Sequence, residues 1–195
     1  GGLALSIVGG ARESPPAWSP TDHSEFVTVV GAQATRIVGG AAYQSARSDL
    51  QQTTGTREIT FYIINAGSDE GTGPGMMVGV GNGVASLGSY IGADANGCSY
   101  RTSGSILRNA GGIAFTPYTT GDVLKMIVDF AAKTVKFNRN GSAYSATTDI
   151  TSLGDNLFVT CSVGNGATAP IVRMAGTWAT PVVNPTINII GHGDS

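Results

Sequence analysis

Thirteen acidic side chains and two histidines are the groups from which this chain would have to build acid–base or metal chemistry, and their spacing argues against both. Glycoside hydrolysis asks for two carboxylates held about 5 to 10 Å apart on rigid elements. Asp69 and Glu70 are adjacent, and neighbours in an extended chain point to opposite sides. Asp122 follows Gly121 at a turn and Asp129 ends a strand pattern, so both read as carboxylates that bind backbone N–H groups in turns. His23 and His192 have no Cys, Asp or His at metal-ligand spacing, apart from Asp194 in the C-terminal tail. Asp94, Asn96 and Gly97 have the spacing that opens a calcium loop, but the twelfth place, where such a loop needs Glu, is Ser105. A hairpin turn is the better reading. The glycine-rich stretches NGVASLG and GTGPG join no strand to a helix N-terminus, so neither can cradle a phosphate. The sequence therefore predicts no catalytic residue, no metal, no cofactor and no enzyme.

Binding residues are a different matter. Aromatic and Arg side chains on irregular loops supply most of the energy of recognition, and Tyr and Arg can stack on a sugar ring or grip a carboxylate. Four loop regions qualify: Asp69 and Glu70 in the loop GSDEGTGPG, Tyr100 and Arg101 after an Asn-Gly turn, Arg108 and Asn109 between glycines, and Tyr118 ahead of Gly121-Asp122. Trp18 and Trp178 bracket the patterned part of the chain and read as packing anchors.

The elements that must position these residues are strands. In GDVLKMIVDFAAKTVKFNRNG, Gly121 to Gly141, Leu124, Met126, Val128 and Phe130 alternate with Val123, Lys125, Ile127 and Asp129. That period of two puts alternate side chains on opposite sheet faces. Ala131, Ala132 and Lys133 interrupt the pattern, Val135 and Phe137 restart it, and Asn140-Gly141 supplies a tight reversal. Phe26 to Val30, Thr35 to Val38 and Ala41 to Ala46 are further candidates. Arg57 to Asn65 is the strongest, and its apolar residues on both faces predict a central strand covered on each side. Met76 to Gly81, Ser89 to Ala93, Cys98 to Arg101, Leu157 to Val163 and Ile171 to Ala175 follow, with Gly104 to Gly112 as a loop. No window holds a 3.6-residue period over three turns, so helix is limited to a short turn around Asp149 to Leu153.

Composition agrees. Glycine, at 29 of 195 residues, is about twice its usual share and charged residues, at 12%, about half theirs, which suits a turn-rich β protein long enough to fold without metal or disulfide. A formal charge of −2 gives no footprint for nucleic acid, and no apolar run approaches the roughly 18 residues that span a bilayer. Cys98 and Cys161 either pair, in an oxidising compartment, with a gain of about 4 kcal/mol, or sit apart as small buried hydrophobes; a lone pair of cysteines has no spacing code. The expected fold is an all-β, two-sheet antiparallel sandwich. Residues 1–25 form an extended lead-in, 26–178 the sandwich, and 179–195 an extended tail interrupted by Pro181 and Pro185.

Four ordered motifs resemble the SPRY domain of the concanavalin A-like, jelly-roll sandwich superfamily. TREITFYII stands where that family has its aromatic strand, MMVGVGNG resembles its "vGv" strand, SYIGADANGCSY its "lG.d..s..y" segment, and GDVLKMIVDFAAKTVKFNRNG its "GDvigv.lD...g.i.f..NG" segment. The chain departs at Ile59-Thr60-Phe61, where the family has aromatic-Phe-Glu, and at Leu124-Lys125, where Ile-Gly is common. The resemblance covers about residues 26–178 and implies a non-enzymatic binding module. Its Gly/Ala/Thr-rich, charge-poor texture is similar to divergent members in bacteriophage tails, fibres or capsid decorations. The resemblance thus implies a component of a virion or extracellular surface that oligomerises with protein subunits or recognises a host protein or glycan. A stand-alone carbohydrate-binding adhesin is the alternative, and a hydrolase or lyase on the same sandwich ranks last.

Overall fold

The computed structural model describes residues 16–37, 42–67, 75–166 and 168–176. Among these the chain forms fourteen strands and one 3₁₀ turn, Thr151–Leu153. The strands are β1 (Trp18–His23), β2 (Val27–Val30), β3 (Gln33–Arg36), β4 (Tyr43–Gln52), β5 (Thr56–Asn65), β6 (Met76–Gly81) and β7 (Gly97–Arg101). They continue as β8 (Ser105–Arg108), β9 (Gly111–Ala114), β10 (Val123–Asp129), β11 (Thr134–Arg139), β12 (Thr148–Asp149), β13 (Leu157–Gly164) and β14 (Ile171–Gly176). They assemble into a back sheet, β1-β4-β13-β6-β7-β8-β9, and a front sheet, β12-β11-β10-β5-β14-β3-β2. Every pairing is antiparallel.

The period-two pattern sets this arrangement. Leu124, Met126 and Val128 of β10 are buried while Val123, Lys125, Ile127 and Asp129 are half-exposed, and Met126 lies opposite both Phe137 of β11 and Ile59 of β5. Between the sheets, Phe61, Phe137, Val128 and Met174 from the front meet Val78, Tyr100, Val159 and Val163 from the back in one continuous core. Each such side chain, fully buried, contributes about 1.5 to 3 kcal/mol. The β10–β11 reversal carries Lys133 at φ 53°, and Asn140 and Gly141 take φ 50° and 72°, the left-handed backbone their Asn-Gly sequence permits.

Several expectations are corrected. The sandwich starts at Trp18, inside the expected lead-in: β1 pairs with β4 and the Trp18 ring is 2% exposed, as a packing anchor should be. Trp178, the segment 1–15 and the tail lie outside the described residues. Strand β5 is central, flanked by β10 and β14, but only one face is covered, since Tyr62 and Ile64 remain exposed. Ser89 to Ala93 is not a strand; it belongs to a connection, residues 82–96, that lies over the back sheet, where Ile91 is buried by its placement and not by pairing. Gly104 to Gly112 is not a loop but the hairpin β8–β9, turned by Asn109 and Ala110 at φ 50° and 58°.

Cys98 and Cys161 are both buried free thiols. Strand β6 runs between their strands, with Val80 beside Cys98 and Val78 beside Cys161. Two strand spacings, about 9.5 Å, exceed the reach of a disulfide, which leaves them as the small hydrophobes of the second reading. Burial pushes each thiol up to about 12.

Candidate functional site

Because every pairing is antiparallel, the connections alternate between the two ends of the sandwich. One end gathers the links β1–β2, β3–β4, β5–β6, β7–β8, β9–β10, β11–β12 and β13–β14. Backbone hydrogen bonds knit them: Thr102 N–H donates to the Met76 carbonyl at 3.1 Å, Tyr118 N–H to that of Thr102 at 3.0 Å, Gly164 N–H to that of Gly75 at 2.9 Å, and Arg36 N–H to that of Pro170 at 3.1 Å. We call this the loop end.

Of the residues expected to bind, the structure brings only part together there. Tyr100 and Tyr118 sit at the loop end but point inward, 0% and 4% exposed. Their rings meet edge to face with centroids 4.8 Å apart. The Tyr118 hydroxyl donates to the Met76 carbonyl at 2.7 Å and also reaches that of Tyr100 at 3.1 Å, while the Tyr100 hydroxyl is taken by the Thr116 carbonyl. These phenols spend their polar ends tying loops to strands, so neither is a ligand anchor. Burial pushes the Tyr100 phenol up to about 12 and Tyr118 well above its usual range, which removes both as bases. Arg108 and Asn109 lie at the opposite end. There Arg108 donates to the Ser152 hydroxyl at 2.7 Å and Asn109 N–H to the Asp94 carbonyl at 3.1 Å, so Arg108 ties strand β8 to the 3₁₀ turn. Asp69 and Glu70 lie outside the described residues. Arg101, half-buried at the end of β7, remains, without an ion pair among the described residues.

At the same end is a cleft of about 150 Å³ lined by Ala66, Gly67, Gly75, Thr102, Tyr118 and Thr119; Arg101 does not line it, since it shares the outward face of β7 with Ser99. The Thr102 hydroxyl is buried there and has no hydrogen-bond partner among the described residues. Gly75 makes the cleft possible: a Cβ at that position would meet the Thr102 hydroxyl oxygen at 2.2 Å. The wall is held by Asn65, whose side chain accepts from Gly67 N–H at 3.0 Å, and by Thr120, whose hydroxyl accepts from Ala66 N–H at 3.0 Å.

The rim is fixed by Asp122. Its carboxylate accepts from Thr119 N–H at 2.7 Å, Arg139 Nε at 2.8 Å and Asn140 Nδ2 at 2.6 Å. Burial pulls its pKa up, but the bonds from Thr119, Asn140 and Arg139 more than offset this and hold the carboxyl below its ordinary value. The turn role read from Gly121-Asp122 stands; the Arg139 partner was missed, although the pairing of β10 with β11 sets Arg139 opposite Leu124. Asp129 likewise accepts from Ala132 N–H at 2.9 Å and Asp94 from Asn96 N–H at 2.8 Å, both turn roles. Among the described residues no three His, Cys, Asp or Glu side chains converge as a metal site would require, and no helix is long and apolar enough to cross a membrane.

No family model matches the sequence, and neither does any curated protein. Solved structures do match the fold. The SPRY domain of human HERC1 superposes with a TM-score of 0.68 at 18% identity, over 82% of this chain and 97% of that one. The chain has the SPRY fold. A second human SPRY domain gives 0.65 at 17% identity, over 77% and 95%. The TRIM65 PSpry domain gives 0.62 at 9% identity, over 86% and 93%. On this SPRY sandwich the loop end combines the cleft at Gly75 and Thr102, the half-buried Arg101 and the rim that Asp122 fixes. Thr102 and Gly75 were not legible as site residues; the one available signal was the glycine placed directly before the MMVGVG strand.

Proposed function

We propose that the chain is a non-enzymatic binding module that grips a protein surface through the loop end of its SPRY sandwich. The observation that carries this reading is the cleft at Gly75 and Thr102, where the buried Thr102 hydroxyl has no hydrogen-bond partner among the described residues, at the same end of the sandwich as Arg101, which has no ion pair among them. A partner's acidic side chain would pair with Arg101, while a small polar group would fill the cleft. The three SPRY domains that share the fold support a protein as that partner.

The finer reading is a subunit of a larger assembly such as a virion, in a tail, fibre or capsid decoration and thus at a virion or extracellular surface. Its support is the charge-poor, Gly/Ala/Thr-rich composition. Imaging of native particles from source material tests it: a repeating assembly that contains the chain supports it, and a free monomer removes it. The glycan alternative has lost the tyrosines that motivated it, since both are core residues. For the binding reading, a photo-crosslinking residue is placed at Arg101 in one variant and at Asn109 in another, each returned to source material. A discrete protein adduct from the first alone is the expected result. Adducts from Asn109 alone, or from neither, would overturn it.

A further inference from the structure

Four asparagines precede glycine: Asn82, Asn96, Asn140 and Asn165. With the same small residue following each, all four share the same intrinsic tendency to cyclise, and only the fold can separate them. Three are tethered. Asn82 Nδ2 donates to Asn96 Oδ1 at 3.2 Å and to the Leu153 carbonyl at 3.4 Å, while its Oδ1 accepts from Val84 N–H at 3.2 Å. Asn96 is held by that contact and by its own Nδ2 on Asp94 Oδ2 at 3.1 Å, and its following Gly97 is already in strand β7. Asn140 accepts from Val123 N–H at 2.8 Å and donates to Asp122 at 2.6 Å. Its following Gly141 N–H is engaged by Asn138 Oδ1 at 3.0 Å.

Asn165 differs. It is exposed, its backbone N–H is anchored to the Ala42 carbonyl at 2.8 Å, and its side chain has no hydrogen bond among the described residues. Gly166, just past the end of β13, is bound into no strand. We infer that Asn165 is the site at which this folded protein deamidates. The Gly166 nitrogen attacks the Asn165 Cγ. A C–N bond forms, the Cγ–Nδ2 bond breaks, the amide proton passes to solvent and ammonia leaves. Water then opens the five-membered imide at either carbonyl to give aspartate or isoaspartate, with no change of oxidation state. The product adds a negative charge at the loop end, where Arg36 of β3 donates to the neighbouring Val163 carbonyl at 3.3 Å.

The test is peptide mapping by mass spectrometry after incubation of the native protein at mildly alkaline pH, with a parallel sample in concentrated urea. In the native sample Asn165 should convert about tenfold or more faster than each of the other three, because they must first release their side-chain hydrogen bonds. In urea the four rates should converge. Native conversion at another Asn-Gly first, equal native rates, or no conversion at Asn165 while the urea sample reacts would each overturn the inference.

Discussion

The two sheets of the sandwich turn very different outer faces to their surroundings. On the back sheet the outward row is small and hydroxylated, and residues 82–96 lie on it as a second layer. Ser45 donates to the Ser89 carbonyl at 2.6 Å and shares a hydrogen bond with Ser162 at 2.8 Å; Ile91 N–H donates to Ser162 at 2.9 Å, Ser99 to the Ile91 carbonyl, and Arg47 to that of Ala85. On the front sheet the outward residues are long and satisfy one another: Lys125 meets Glu58 at 2.9 Å, Lys136 sits 4.8 Å over the Tyr144 ring and Arg173 5.1 Å over that of Tyr62. Alternation alone decides which residues face outward. Their size and donor count decide whether another segment can settle there, because a serine leaves both room and a hydrogen-bonding group for a neighbouring backbone.

The comparison can be broken most severely at Gly79, in the middle of the back sheet. A Cβ there would lie 2.0 Å from the Cys98 carbonyl oxygen and 2.7 Å from Ser99 Cα, both backbone atoms that cannot rotate away. Gly79→Ala should therefore cost about 3 kcal/mol or prevent folding, whereas Thr60→Ala on the open front face should stay within about 0.5 kcal/mol; urea titration of both variants measures the contrast. Next comes Ser162→Ala, which strands the buried Ile91 N–H. It should cost about 1 to 3 kcal/mol and release amide-exchange protection at Ile91.

Asp122 adds a pH signature at the loop end. Its folded pKa is depressed, so its stabilisation is full above the unfolded carboxylate value of about 3.9 and fades as pH falls through the lower folded value. Asp122→Asn should accordingly be less stable than the parent at pH 7, with the gap narrowing as both are titrated below about pH 4. Smallest of all, Glu58→Ala removes an exposed ion pair, and the denaturation midpoint should not move within error at moderate salt.

How much of this was legible follows from the same contrast. The strands β10, β11 and β5 could be read because half of each faces a core, and burial imposes a period that the side chains themselves record. Ser89 to Ala93 misled because Ile91 belongs to a loop laid on a sheet and is buried against that sheet, a burial with no period. The β8–β9 hairpin was hidden by its turn, since Ala110 at φ 58° carries none of the usual reversal signal. At the candidate site the failure was one of direction. Tyr100 and Tyr118 are amphipathic, and sequence gives no means to tell a tyrosine that caps a core from one that meets a ligand. Arg108 and Arg101 look alike in sequence, yet seven positions of chain and one hairpin place them at opposite ends.

The two sequestered thiols have a practical consequence. Burial pushes each thiol up to about 12, so both stay protonated at pH 8, and neither presents a surface to a reagent. A cysteine installed at an exposed position such as Ser103 or Asn109 should react with maleimide alone, in the otherwise unaltered chain. Fluorophores or spin labels can thus be placed at either end of the sandwich singly, with no need for a cysteine-free background whose core would lack two well-packed sulfurs.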